Sequence, residues 1–269
     1  MNCPVCESKL EITEYRNIIF DELNYYCKTC ESYHIVKEVD TSKYYAEEYH
    51  RKFSYNNFFS KLINKLSLVS NRTAGRFDFL NKYGNITENM NFLEIGGTFG
   101  EFFNIARKKI HPKLYTIVEP DRKFNRKRRN LKFENNIFEN IDIQTLVVID
   151  IVQMFHVFEH IFEINNFLER LKLLKPCKFY FEVPNCSNEK IKTESLINNP
   201  HYHHFSKKSL EILFANHKFE QIKLEIIEPK SYNPYIKVGR CKRYKLRYLG
   251  ENEIFDENGI YLRGIYSIK

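Results

Sequence analysis

The chain has 269 residues, of which 43% are hydrophobic and 28% charged, with a formal net charge of +8. That is ordinary for a soluble protein and enough for one substantial α/β domain with a small appendage. No apolar run approaches the roughly 18 to 20 residues needed to cross a bilayer, and polar, cysteine-containing sequence stands where a secretory signal would be basic and apolar, so no membrane insertion and a cytoplasmic location are expected.

Four of the seven cysteines lie near the N-terminus, as Cys3-Pro4-Val5-Cys6 and Cys27-Lys28-Thr29-Cys30. Each Cys-x2-Cys pair can turn two thiolates onto one ion, and the intervening hairpin brings the pairs together, so this spacing predicts a zinc ribbon over residues 1–40. Two disulfides are the competing account, and the expected reducing compartment argues against them. His34 could replace a thiolate, although four cysteines already complete the shell. A unit this small has little apolar surface to bury, so the zinc is expected to be structural. Short strands are predicted over 11–20 and 32–39. Cys177, Cys186 and Cys241 read as buried or free thiols.

Residues 41–88 form the second expected segment, a helical cap whose aromatic residues recur at helical spacing from Tyr45 to Leu68. The tyrosines at 44, 45 and 49 either contact ligand or pack the cap. From 89 to 269 strands and helices alternate, with strands at 92–95, 114–118, 131–133, 145–152, 178–183 and 219–226 and helices at 100–109, 121–129, 163–174 and 207–216. Such alternation predicts a parallel, doubly wound sheet, with 261–268 as a last strand.

Phe92-Leu93-Glu94-Ile95-Gly96-Gly97-Thr98-Phe99-Gly100 reads as a buried strand followed by a glycine turn, and Tyr115-Thr116-Ile117-Val118-Glu119 as a second strand ending in an acid. The glycines permit positive φ and close ligand approach, and the acid 23 positions after Gly96 can accept two hydrogen bonds from a ribose diol. A plain solvated acid is the alternative for Glu119. Thr98 stands where the G-x-G-x-x-G dinucleotide fingerprint has its second glycine, which disfavours NAD.

With these segments and two later ones, Asp150-Ile151-Val152-Gln153-Met154-Phe155-His156-Val157-Phe158-Glu159-His160-Ile161 and Phe181-Glu182-Val183-Pro184-Asn185, the chain resembles the class I S-adenosylmethionine-dependent methyltransferases. Pro200-His201-Tyr202-His203-His204-Phe205-Ser206 resembles a loop of their small-molecule, sugar-modifying branch, some members of which carry an N-terminal zinc-binding segment. The resemblance covers residues 90 to 225. It implies a Rossmann-like, seven-stranded, mostly parallel sheet with helices on both faces, after the ribbon and cap. It also implies S-adenosylmethionine as cofactor, held by Glu94, Gly96, Gly97, Thr98, Gly100, Glu119, Asn136 and Phe155.

Five of nine histidines fall in two loops, at 156 and 160 and at 201, 203 and 204. A histidine titrates near neutral pH and suits removal of an alcohol proton, so His156, Glu159, His160, His201 and His204 are the catalytic candidates. The Glu159-His160 pair could instead fix its loop. His201 and His204 could also join His160 or Glu159 around a divalent ion. The expected reaction is O-methylation of a small anionic acceptor, such as a nucleotide-linked or phosphorylated sugar of surface-polysaccharide biosynthesis, since the net charge favours anions. An RNA methyltransferase is the alternative, favoured by the ribbon and the basic patches at 122–129 and 240–247, although a solvated helix face and a basic edge strand explain those equally well. A non-catalytic cofactor-binding or zinc interaction module is the third reading, prompted by Thr98.

Overall fold

The computed structural model describes residues 1–40, 71–174, 177–229, 253–255 and 258–268. The tyrosines at 44, 45 and 49, the basic stretch 240–247 and Cys241 lie outside the described residues.

Three strands, β1 (Glu11–Asn17), β2 (Glu22–Cys27) and β3 (Ser32–His34), make an antiparallel N-terminal ribbon. The expected strand over 11–20 ends at Asn17, whose side-chain oxygen accepts from the amides of Ile19 and Phe20 and so builds the turn. The strand over 32–39 ends at His34. There its partner is β9 (His203–His204), which arrives from the far part of the chain, with Tyr33 opposite His204 and His34 opposite His203.

The main sheet has strand order β11-β10-β12-β8-β7-β4-β5-β6. Its strands are β4 (Asn91–Ile95), β5 (Leu114–Val118), β6 (Leu131–Glu134), β7 (Ile151–Phe155), β8 (Cys177–Pro184), β10 (Glu220–Pro229), β11 (Glu253–Phe255) and β12 (Tyr261–Ile268). The β6-β5-β4-β7-β8 run is parallel throughout, whereas β12 is antiparallel to both β8 and β10. This is the expected seven-stranded Rossmann-like sheet, extended by the three-residue edge strand β11. The buried runs of β4 and β5 follow from their mainly apolar sequences, since a parallel strand is covered on both faces, and they bury Glu94 and Thr116 along with their apolar neighbours.

Two helices, α1 (Asn71–Tyr83) and α2 (Glu101–Lys109), contribute to one core cluster through Phe77, Leu80, Phe102, Phe103 and Ala106. Into the other cluster α3 (Ile164–Leu171) sends Ile164, Phe167, Leu168 and Leu171, the spacing of a single helical stripe. The same cluster takes Leu210, Leu213 and Phe214 of α5 (Lys207–Asn216), together with Cys3, Val5 and Leu10 of the ribbon. Ser206 starts α5 with a capping box through Ser209. The remaining helix, α4 (Glu189–Asn198), begins at Asn188, whose side chain accepts from the amide of Lys190.

Ribbon and core are joined by hydrogen bonds. Asn17 donates to the carbonyls of Leu196 and Asn199, and Asn24 also donates to that of Leu196, so ribbon side chains satisfy carbonyls at the end of α4. Ile35 N–H donates to the Tyr202 carbonyl, and the Ser206 hydroxyl to that of Cys30.

Two expected elements differ. Residues 121–129 form a single 3-10 turn, Arg122–Phe124, capped by Asp121, with Arg128 bridging back to Leu131. Clustered like charges destabilise a longer helix there. The strand expected over 145–152 begins only at Ile151, because Asp142 caps a turn over Ile143–Thr145 and leaves Val148 74% exposed ahead of the ladder.

Phe158 is fully buried, and its ring lies within 5.4–5.9 Å of those of Phe167, Phe179, Phe181, Phe205 and Phe214. Phe158→Ala is expected to cost about 3–5 kcal/mol of stability, the range for an aromatic core truncation, read as a lowered urea midpoint with an unchanged slope.

Candidate active site

Three residues of the turn after β4 have left-handed backbones: Gly96 at φ 73, Thr98 at φ 42 and Gly100 at φ 68. Only glycine adopts that region freely, so Thr98 carries a local strain. Its amide N–H donates to Glu119 Oε2 at 3.2 Å, which helps to hold it there. Glu119 also accepts from the amide of Asp121 and is only 7% exposed, and burial raises its pKa. The acid at the end of β5 is thus tied to the glycine turn. Gly97 is beside Glu94, where a Cβ would come within 2.8 Å of the carboxylate. Glu94 itself turns inward, accepting from the Tyr115 hydroxyl at 2.6 Å, and burial pushes it up to about 7.

The other two expected cofactor residues are placed differently. Phe155, at the end of β7, stacks on Phe102 and lies under the Arg76 guanidinium at 4.4 Å. Asn136 follows β6 and its side-chain oxygen accepts from the amide of Ile137.

His156 follows directly on β7 with φ 56, a strained left-handed backbone of the kind found at functional sites. Its ring lies between two buried carboxylates, with Nδ1 3.3 Å from Glu159 and Nε2 3.2 Å from Glu182, and the side chain stays 28% exposed. Burial, and then the Arg72 charge, hold His156 well below 6.5, so the imidazole is neutral at physiological pH. Arg72 also reaches the His156 ring, and its guanidinium stands over the Tyr261 ring.

Glu182 is the hub of a charged cluster that sequence reasoning missed. It is fully buried on β8, opposite the equally buried Arg263 of β12, which donates to it at 2.5 Å and 2.9 Å. Arg72 and Arg76, one helical turn apart on α1, reach its other oxygen at 2.8 Å and 2.6 Å. Burial alone would raise its pKa, but Arg76, Arg72 and Arg263 outweigh it and hold the carboxyl well below the usual range. The available signal was the Arg72/Arg76 spacing, which puts both side chains on one helix face.

The two histidine loops meet. Tyr202 N–H donates to the Glu159 carbonyl, and His160 donates from Nδ1 to that of Pro200 at 2.7 Å. The Ser195 hydroxyl lies between Nδ1 of His201 (3.1 Å) and Nδ1 of His204 (3.0 Å). His201 Nε2 is 3.9 Å from Glu159. All five catalytic candidates therefore gather at the C-terminal ends of β7 and β8, where ligands bind in open α/β sheets. His160 also opens on a cleft of about 920 Å³, whose walls include Val39, Ile137, Phe162, Arg170 and Tyr202.

The sulfurs of Cys3, Cys6, Cys27 and Cys30 lie within 4.8 Å of one another. The Cys3–Cys30 and Cys6–Cys27 separations, 3.6 Å and 3.4 Å, are far longer than a disulfide and close to the about 3.8 Å edge of a tetrahedron with 2.3 Å metal–sulfur bonds. His34 stands outside this group: Nε2 is 2.7 Å from the Ser32 hydroxyl and 3.5 Å from Cys3, and Nδ1 is 2.9 Å from Nδ1 of His203. Because His203 donates from Nε2 to the Phe162 carbonyl, its Nδ1 is the acceptor and His34 the donor. Cys177 and Cys186 are buried free thiols.

A mostly parallel sheet with the antiparallel β12 inserted between β10 and β8, a glycine turn after β4 and an acid at the end of β5 define a class I methyltransferase architecture. A profile described as a methyltransferase domain matches residues 58–224, more than half of the chain, and the chain belongs to this family as an S-adenosylmethionine-dependent methyltransferase. Solved structures share the fold. A chain from the complex of the Haloferax volcanii Trm112 methyltransferase activator with a methyltransferase superposes with a TM-score of 0.56 at 10% identity, over 86% of this chain and 99% of that one. The plantazolicin methyltransferase BpumL bound to SAH gives 0.53 at 14% identity, over 85% and 94%. A SAM-dependent methyltransferase from Aquifex aeolicus gives 0.52 at 14% identity, over 78% and 98%. No curated protein sequence matches. Among the described residues, no helix is long and apolar enough to cross a membrane.

Burial holds His160 at about 4 and both His203 and His204 at about 3, with His156 and His201 also well below 6.5. Below pH 6.5 the unfolded chain therefore binds protons that the folded chain refuses, so stability drops as the pH falls towards these values. Glu94, Glu119 and Glu159, all raised by burial, the first and last to about 7 and about 8, act in the opposite sense, but they are three groups against five. The urea midpoint is expected to decrease from pH 6.5 to pH 4.5, and a flat or rising midpoint would contradict the neutral state of these histidines.

Proposed function

We propose that this protein O-methylates a small anionic acceptor, such as a nucleotide-linked or phosphorylated sugar of surface-polysaccharide biosynthesis, with His156 as the base. The observation that carries this reading is the neutral, partly exposed His156 ring, presented by a strained backbone between Glu159 and Glu182. Bound S-adenosylmethionine supplies a methyl group on a sulfonium, which needs alignment with the acceptor more than covalent help. Glu119 would hold the ribose hydroxyls, while Gly96, Gly97 and Gly100 would border the amino-acid portion; Glu94 supports this turn from beneath. Phe155 and Asn136 would edge the cofactor, Asn136 on its adenine side. A hydroxyl acceptor must lose its proton as the bond to carbon forms, and a neutral imidazole can take it where the imidazolium could not. Arg72, whose side chain is 30% exposed beside His156, would favour an acceptor carrying negative charge.

The four cysteines would hold a structural zinc ion, whose thiolate preference and tetrahedral shape suit their spacing. Its removal should reach beyond the ribbon, because Cys30 and His34 are bonded to the loop that carries His203 and His204. Treatment with a strong zinc chelator is expected to release the zinc held by the four cysteines and to lower the thermal midpoint of the whole protein. Zinc-free protein that melts unchanged would remove the structural role.

The deciding assay offers a labelled methyl donor to nucleotide sugars and to cell RNA in parallel. Transfer to a nucleotide sugar supports the proposal, and transfer to RNA alone overturns it. His156→Asn, which tolerates the left-handed backbone, should reduce kcat by about 10²–10⁴-fold with cofactor affinity nearly unchanged. Glu119→Ala should weaken cofactor binding by about 10–100-fold, the value of hydrogen bonds to a charged group.

A further inference from the structure

Glu159 is 1% exposed, and among the described residues neither of its carboxylate oxygens has a hydrogen-bond partner. A buried carboxylate so placed is costly unless a positive group faces it. The two imidazoles that face it are held neutral by burial and do not supply that charge, whereas a cation bound among them would. Glu159, His160 and His201 each bring one ligand atom into a group whose members all lie within 4.8 Å of one another. Both rings are held as metal-bound imidazoles are held, through the nitrogen that would not bind the ion: His160 donates from Nδ1 to the Pro200 carbonyl, and His201 Nδ1 meets the Ser195 hydroxyl. With Nδ1 so engaged, Nε2 of each ring is assigned as the ligand atom, and His201 Nε2 is 3.9 Å from Glu159.

We propose that Glu159, His160 and His201 form a second metal centre, distinct from the four cysteines, that takes a divalent first-row transition ion and binds the acceptor through oxygen. Two imidazoles and one carboxylate suit Mn²⁺, Fe²⁺, Co²⁺ or Zn²⁺, and a three-ligand set leaves coordination positions open to a bound molecule. One arrangement gives those positions an occupant. His156 Nδ1 is 3.3 Å from Glu159, so an acceptor hydroxyl bound to the ion lies beside the proposed base. His160 also lines the 920 Å³ cleft, whose walls carry Glu38, Asp40, Glu139 and Glu163, a setting that draws a cation towards the site. With Arg72, Arg76 and Arg263 already gathered on Glu182, a further dication makes the neighbourhood strongly positive, and an anionic acceptor offsets that charge.

The acceptor role rests on the methyltransferase reading above, whereas binding of the ion does not, and the experiment separates the two. Mn²⁺ is titrated into the full-length protein and free Mn²⁺ is followed by electron paramagnetic resonance; a thiolate site disfavours this hard ion, so the signal reports the nitrogen–oxygen site. One Mn²⁺ per chain is expected. Glu159→Gln, which preserves shape, should abolish that binding, and Ser195→Ala, outside the ligand set, should weaken it by about 10–100-fold. Cofactor affinity, measured on the same samples, should stay at the unsubstituted value and so certify folding. No bound Mn²⁺ in the unsubstituted protein, or equal binding in Glu159→Gln, overturns the centre even if methyl transfer is observed. Bound Mn²⁺ that leaves transfer to every offered acceptor undetected retains the centre and removes the acceptor reading.

Discussion

The pairing of two residues, His203 and His204, with the edge of the N-terminal ribbon determines how the rest of this protein is put together. Those residues belong to the loop that carries His201 and continues into α5, so one short stretch is both a strand of the ribbon and a wall of the candidate site. A ribbon of this size cannot bury enough surface to fold on its own. Here it adds Cys3, Val5 and Leu10 to the main core and ties down the end of α4 with two asparagines. The bond from His34 to His203 carries this connection from the cysteine cluster to the histidine loop.

On the opposite side of His156, order comes from charge. Glu182 gathers guanidinium groups from α1 and β12, and the cross-strand Arg263 is as buried as the carboxylate. Removing one partner of such a cluster leaves an uncompensated charge in a dry place, which is costlier than never having had the pair. The cluster therefore fixes the position of α1 over the sheet and sets the field in which His156 stays neutral. A single imidazole thus meets two constraints, one from the ribbon side through Glu159 and Tyr202 and one from the sheet side through Glu182.

Much of this was legible where the information is local. The glycine turn, the acid at 119, α5 and β12 are written in contiguous residues whose periodicity or turn chemistry has one good solution. Patterns failed where the outcome depends on distant partners. Nothing in His203-His204 announces a strand, because its partner lies 169 residues earlier in the chain. Arg72, Arg76 and Arg263 look like ordinary surface charges until the sheet places Glu182 among them. The strand start at Ile151 was hidden because an apolar run does not reveal which of its residues the ladder accepts. Thr98 was noticed as a departure, but its left-handed backbone and its bond to Glu119 are visible only in three dimensions.

The order in which the chain is made gives the ribbon one more consequence. Its cysteines and three strands leave the ribosome before the core does, yet its fourth strand is not synthesised until residue 204. Throughout that interval β3 is an open edge, and Asn17 and Asn24 lack the carbonyls they later bind. An unpaired edge on a nascent chain is a template for pairing with other chains. The ribbon, begun before the core, is thus finished only after much of it, and its exposure to misassembly spans the translation of the methyltransferase core itself.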